Sequence, residues 1–311
     1  MAVRIQSDAV VSQEAAPKLM AALPAFEGLS TVSPTTVATP CAIERVYRHR
    51  LPVRVSHWLN VPFLIILIMS GLQIFNAHPV LYWGDRSDRD QALLSIRPMA
   101  TESGDVKGIT TILGHQFDTT GVLGYSDGMR RAFPAWATIP SAKWLAMGRQ
   151  WHLLFAWLFV INGLIFTAYA VASRHVTRDL APTGRDWRSI GKSLKEHLVF
   201  RHPIGEEARR YNVLQKLAYA TVLFLLGPLI VLTGLAMSPT IDTAFPWLLT
   251  ILGGRQAART IHFVACFSFI GFILIHVFQV IMTGFFNNIC SMITGWFAVK
   301  YVKRRVQEFH V

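Results

Sequence analysis

The chain holds eleven histidines, and four of them, His57, His152, His262 and His276, lie inside or at the ends of long apolar stretches. An ionisable side chain in such surroundings is costly and is usually kept for a function. Taken singly, each could be a core residue hydrogen-bonded to a neighbouring helix. Together they carry a geometry. His262 and His276 are just under four helical turns apart, so their rings share one helix face at a separation of about 21 Å along the axis. That spacing suits two stacked haems, each needing a second axial imidazole at the same depth on another helix. Bis-histidine ligation leaves no open iron position, which is the arrangement of an electron carrier and not of an oxygen binder.

The elements that would position these rings are membrane spans. Four stretches lack Asp, Glu, Lys and Arg: 55–75, 151–173, 217–238 and 261–286. Crossing a hydrocarbon core of ~30 Å takes about 20 helical residues. With their flanks, the predicted spans are 52–75, 151–173, 215–238 and 260–286. The chain is 52% hydrophobic and only 15% charged, against roughly a quarter charged for a soluble domain. The predicted fold is therefore an all-α membrane protein, a four-helix transmembrane bundle around two haems b, with amphipathic interfacial helices.

A net charge of +12 invites a nucleic-acid reading, but the basic residues collect where alternate spans place one side of the membrane. Arg45, Arg48, Arg50 and Arg54 precede the first span, and Arg174, Arg178, Arg185, Arg188, Lys192, Lys195, Arg201, Arg209, Arg210 and Lys216 separate the second from the third. Lys300, Lys303, Arg304 and Arg305 close the chain. The long 76–148 loop carries seven basic and seven acidic residues. The positive-inside rule then makes both termini cytoplasmic. The charge is a topology signal and an attraction to anionic lipid, with no nucleic-acid partner implied.

Topology turns four ligands into two pairs. His57 falls near the cytoplasmic start of the first span and His152 at the outer start of the second. His262 and His276 are the outer and inner histidines of the fourth. Depth pairs His152 with His262, and His57 with His276. Gly71, Gly163, Gly227 and Gly234 fall on faces where a flat macrocycle needs small neighbours, although close helix packing would use the same residues. Arg54 and Lys216 inside, and Arg149, Arg255 and Arg259 outside, are candidate propionate partners or snorkelling flanks.

Residues 1–43 read as a disordered cytoplasmic extension, 44–299 as the membrane domain and 300–311 as a basic tail. The 76–148 loop is expected to hold hairpin or irregular structure, then a short interfacial helix near 136–147. The 174–212 loop places Trp187, Ile190, Leu194 and Leu198 on one face of a surface helix. Gly227-Pro228 should kink the third span. Cys41, Cys266 and Cys290 form no CxxC or CxxCH, so any haem is held by ligation alone.

The strings Arg54-Val-Ser-His57-Trp58-Leu59-Asn60, Trp151-His152, Tyr211-Asn212-Val-Leu-Gln215-Lys216 and Arg259-Thr-Ile-His262, with His276 beyond, resemble the bacterial cytochrome b561-type subunits. These are di-haem membrane anchors of nickel–iron hydrogenases, formate dehydrogenases and molybdopterin oxidoreductases. The resemblance runs from Arg45 to Trp296. It implies a quinone site near the cytoplasmic haem, for which Asn212, Gln215 and Gln279 are candidates, with Lys216 as a helix-end anchor. It also implies an oxidoreductase partner, here a periplasmic subunit docked on 76–148, and leaves open a homodimer. Gly254-Arg255-Gln256-Ala-Ala-Arg259 and Ser291-Met-Ile-Thr-Gly295-Trp296 look most like the branch serving periplasmic molybdenum enzymes. The resulting expectation is a relay of electrons between that partner and quinone. A quinone oxidoreductase without a partner is a variant of it. The alternative class is a histidine-based transporter or proton relay without haem, against which the spans lack Asp and Glu. A single zinc or copper site is disfavoured because the histidines are too far apart.

Overall fold

Pro52 opens the first long helix in its first turn, where a missing N–H leaves no intrahelical bond unmade. The structure, a computed structural model, describes residues 42–174, 191 and 213–301. Within them, four helices are long and apolar enough to cross a membrane: α1 (Leu51–Phe75), α2 (Leu145–Ala172), α3 (Val213–Ala236) and, after the short α4 (Pro239–Ala244) and α5 (Trp247–Ile251), α6 (Arg255–Met282). α1 packs on α2 and α3 on α6. Their polarity is distributed inside-out. Leu164 and Ile165 are each 65% exposed, whereas Ser70 and Thr233 are fully buried. In lipid that is the stable arrangement, because polar groups must find partners within the bundle.

The spans differ in detail from expectation. α2 begins at Leu145, so no separate interfacial helix occupies 136–147; a 3-10 turn at Ala135–Ala137 and the Pro140 bend precede it instead. Ahead of Gly227-Pro228, α3 takes a π-helical turn over Val222–Leu226, which absorbs the missing Pro228 N–H locally. The last apolar run is broken at Gly284, which has positive φ. α6 therefore ends at Met282, and a separate helix α7 (Phe285–Thr294) follows. The surface helix expected around Trp187, and most of the extension and tail, lie outside the described residues. Residues 42–43 and 300–301 belong instead to strands β1 (Ala42–Tyr47) and β8 (Trp296–Tyr301), which pair antiparallel with Ala42 opposite Tyr301.

The 76–148 segment is more ordered than a loop. Strands β2 (Val80–Leu81), β3 (Leu94–Ala100), β4 (Val106–Ile112) and β5 (His115–Asp118) form an antiparallel sheet in that order, followed by the hairpin β6 (Tyr125–Ser126) and β7 (Met129–Arg130). The all-α expectation thus holds for the spans and for the short helices α4 and α5, but not for the segment between α1 and α2 or for the β1–β8 pair. Phe75, Leu81, Ile96, Ala132 and Phe133 make a shared core, and Phe75 meets Phe263 of α6 at 4.8 Å.

This layer also caps α6. Gly254, its N-cap, has φ 103° and no side chain to offer, and a Cβ there would collide with Asp85. Asp85 Oδ1 instead accepts from Arg255 N at 3.0 Å, while Gly84 O accepts from the N–H groups of Gln256 and Ala257. Asp85→Ala is expected to cost about 1 kcal/mol, the usual value of an N-cap. Thermal unfolding in detergent should show the loss, with Asp85→Asn retaining part of the stability.

Candidate cofactor site

His57 lies on the second turn of α1, His152 in α2, and His262 and His276 on α6. The structure brings them together in the pairs that depth predicts. His152 and His262 have ring centroids 6.2 Å apart with an interplanar angle of 65°; His57 and His276 are also 6.2 Å apart, at 61°. Two metal–nitrogen bonds of about 2 Å each, plus about 1 Å from each ring centre to its nitrogen, span close to 6 Å. Both gaps therefore fit one iron between two imidazoles.

Further observations bear on the fit. Among the described residues, no three His, Cys, Asp or Glu side chains converge on a point, so no all-protein tetrahedral metal site forms. Beside Gly163 there is open space, and a Cβ there would meet nothing within 4 Å. At Gly71 a Cβ would sit 3.4 Å from Cε1 of His152, and at Gly234 it would sit 3.4 Å from Cε1 of His262. Gly227, by contrast, faces Val222 O across the π turn. Asn162 Nδ2 donates to Ser56 O and Asn60 Oδ1, fastening α2 to α1 next to His57.

Two residues that the sequence did not single out touch the His152–His262 pair. Ser70 Oγ lies 3.0 Å from His152 Nδ1, and Thr233 Oγ1 lies 3.0 Å from His262 Nδ1. Engaging Nδ1 leaves Nε2 free to ligate, the usual support of a metal-bound histidine. A small hydroxyl residue directly preceding Gly71 or Gly234 was the signal available in the sequence.

The candidate propionate cations are partly committed elsewhere. Arg259 donates to His78 O and Val80 O and lies over the Phe75 ring, anchoring the sheet layer to α6. Arg255 pairs with Asp242 at 2.6 Å. Arg54 Nη1 donates to Ile293 O of α7. Arg149 is exposed near the start of α2, and Lys216 and Gln215 are half-buried in the first turn of α3. Gln279 follows His276 by one turn, and Asn212 lies outside the described residues. At the sheet-bearing end, partial burial and the Arg259, Arg97 and Arg89 guanidiniums hold the His78 imidazole below the usual histidine range.

Four apolar helices carrying paired imidazoles at two depths define the scaffold of a membrane cytochrome. The family model for prokaryotic cytochrome b561 matches residues 48–295, and the chain belongs to that family. It is related to a protein of Azospira oryzae named as the protein-methionine-sulfoxide reductase subunit YedZ1, 26% identical over 247 residues, 78% of this chain and 93% of the relative. A second relative, named as a Ni/Fe-hydrogenase B-type cytochrome subunit of Cupriavidus necator, is 21% identical over 273 residues, 84% of this chain and 90% of its own length. No solved structure gives a significant match. Family membership implies haem b and a role as a membrane electron-transfer subunit.

Proposed function

We propose that this chain holds two haems b, one between His152 and His262 and one between His57 and His276, and relays electrons between an oxidoreductase partner and membrane quinone. The observation that carries the reading is the 6.2 Å ring separation, repeated at both depths. Bound there, the haems supply reversible one-electron chemistry. The chain supplies their placement, since α6 contributes one imidazole to each pair and sets the interval between them. Gly71, Gly163 and Gly234 leave room for flat ring edges. Arg54, Arg149, Arg259 and Lys216 are placed at the bundle ends where propionates would emerge.

The basic flanks support an orientation with the sheet-bearing end outside a bacterial inner membrane and both termini in the cytoplasm. The oxidoreductase names of the two relatives support a catalytic partner. It docks, in this reading, on the 76–148 layer, where Trp83 and Trp136 are 61% and 76% exposed. Aromatic side chains of this kind are enriched at interface anchors. Quinone is assigned to the other end, near Asn212, Gln215 and Gln279.

Purified protein should show a reduced-minus-oxidised b-type spectrum and a pyridine haemochrome yield of about two haems per chain, matching its two imidazole pairs. A preparation reconstituted with haem that still lacks these bands would sink the proposal.

A further inference from the structure

The two histidine pairs are supported differently. Ser70 Oγ donates its proton to Leu67 O at 3.2 Å, and Thr233 Oγ1 donates to Leu229 O at 2.7 Å. A hydroxyl has one proton. Each oxygen therefore meets its imidazole with a lone pair, so Nδ1–H of His152 and of His262 is the donor. For His152, Leu67 O at 3.2 Å is a second acceptor. The device is built twice, from Ser70-Gly71 on α1 and from Thr233-Gly234 on α3. In each case the hydroxyl takes the Nδ1 proton and the next residue lies against Cε1 of the same ring.

Among the described residues, the other pair has no such support. His57 Nδ1 is buried without a hydrogen-bond partner. His276 stacks on Phe272 at 5.7 Å and 15°, and it has no hydrogen-bond partner among the described residues.

An imidazole that donates from Nδ1 carries more electron density on Nε2 and is a stronger ligand. Such a ligand stabilises ferric over ferrous iron and lowers the reduction potential, one of the main means by which a protein tunes a haem. Basic residues collect at the Arg54-bearing end, whereas the seven cations of 76–148 are matched by seven acids, so charge favours the reduced haem at the Arg54 end and acts in the same sense as the hydrogen bonds at the other. The hydrogen bonds are the part of this asymmetry that single residues set against the rings.

Resting on the haem assignment above, we propose that Ser70 and Thr233 are positioning residues that hold the haem at the sheet-bearing end below the other in reduction potential. Electron transfer from the sheet-bearing end to the opposite end is then downhill, and transfer in the reverse direction must be driven by its donor.

The test is a potentiometric titration of the full chain in detergent, followed by haem absorbance, with EPR of the oxidised protein. The wild type should titrate in two waves. Ser70→Ala and Thr233→Val should each raise the lower wave and leave the upper one in place, and the double variant should raise it further. Ser70→Thr and Thr233→Ser, which keep the hydroxyl, should restore the wild-type profile. In EPR only one of the two low-spin ferric signals should move. Should Thr233→Val lose haem, Ser70→Ala with Ser70→Thr decides the matter alone. Full haem content with neither wave moved, or movement of the upper wave, would overturn the inference while leaving the haem assignment standing. Absence of paired haems from the wild type would instead remove the assignment, and the inference with it.

Discussion

Replacing His262 with alanine is expected to halve the haem content and to abolish electron exchange between a partner enzyme and the far haem. His152 would then face its 6.2 Å gap alone, and an iron left with one imidazole in a site built for two loses an anchor and its bis-histidine low-spin state. Alanine is the best helix former, so α6 should persist around the change. Without the outer haem, the remaining site stands a further ~21 Å along the helix from any donor at the sheet-bearing end. His276→Ala should give the complementary result, keeping the outer haem and losing the inner one. The two difference spectra should sum to that of the wild type, and their titrations should separate the two waves. Two haems retained in either variant, with unchanged potentials, would show the pairing to be wrong.

The legible part of this molecule was whatever a periodic pattern on one helix could encode. His262 and His276 share a face because of their spacing alone, and the run of uncharged residues that sets each span also sets the depth of His57 and His152. What stayed hidden depends on contacts between segments. Ser70 and Thr233 are ordinary small polar residues within apolar runs, and only the folded bundle shows them against imidazole Nδ1. The sheet between α1 and α2 was legible only as an expected hairpin, because β2 and β5 have two and four residues and Gly108 and Pro98 interrupt the alternation of the two seven-residue strands β4 and β3. The uncharged run continues beyond the expected end of the last span at 286 as far as Ala298. Backbone conformation at Gly284 divides it into α6 and α7. Asn287 then reads both the N–H and the C=O of Ala298 on β8, a pairing across elements that composition does not encode.

The same limit applies to Arg131, which counts in the sequence as one of seven loop cations balanced by seven acids, and in the structure is 3% exposed. Its guanidinium donates from Nε to Phe133 O at 2.6 Å, from Nη1 to Ser141 O at 2.6 Å, and from Nη2 to Thr138 Oγ1 at 2.6 Å and Gln73 Oε1 at 3.3 Å. Gln73, in the last turn of α1, donates in turn to Ala142 O at 2.7 Å, and the neighbouring Asn76 accepts from Phe133 N at 2.8 Å. One fork thus binds the end of a span to the chain leading into α2. Burial lowers the Arg131 pKa from the ordinary arginine value, a cost that these acceptors offset. Arg131→Ala leaves several buried acceptors without donors and should destabilise the sheet layer by about 3 kcal/mol or more. Arg131→Lys should rescue little, because an ammonium cannot reproduce the planar fork. The proposed haem ligands lie within the spans, so limited proteolysis in detergent should cut the variant within 76–144 while its haem spectrum stays close to wild type. Reduction by a partner docked on that layer should fall with the loss of order. If the variant resists proteolysis as the wild type does, Arg131 is not what holds the outer layer to α1.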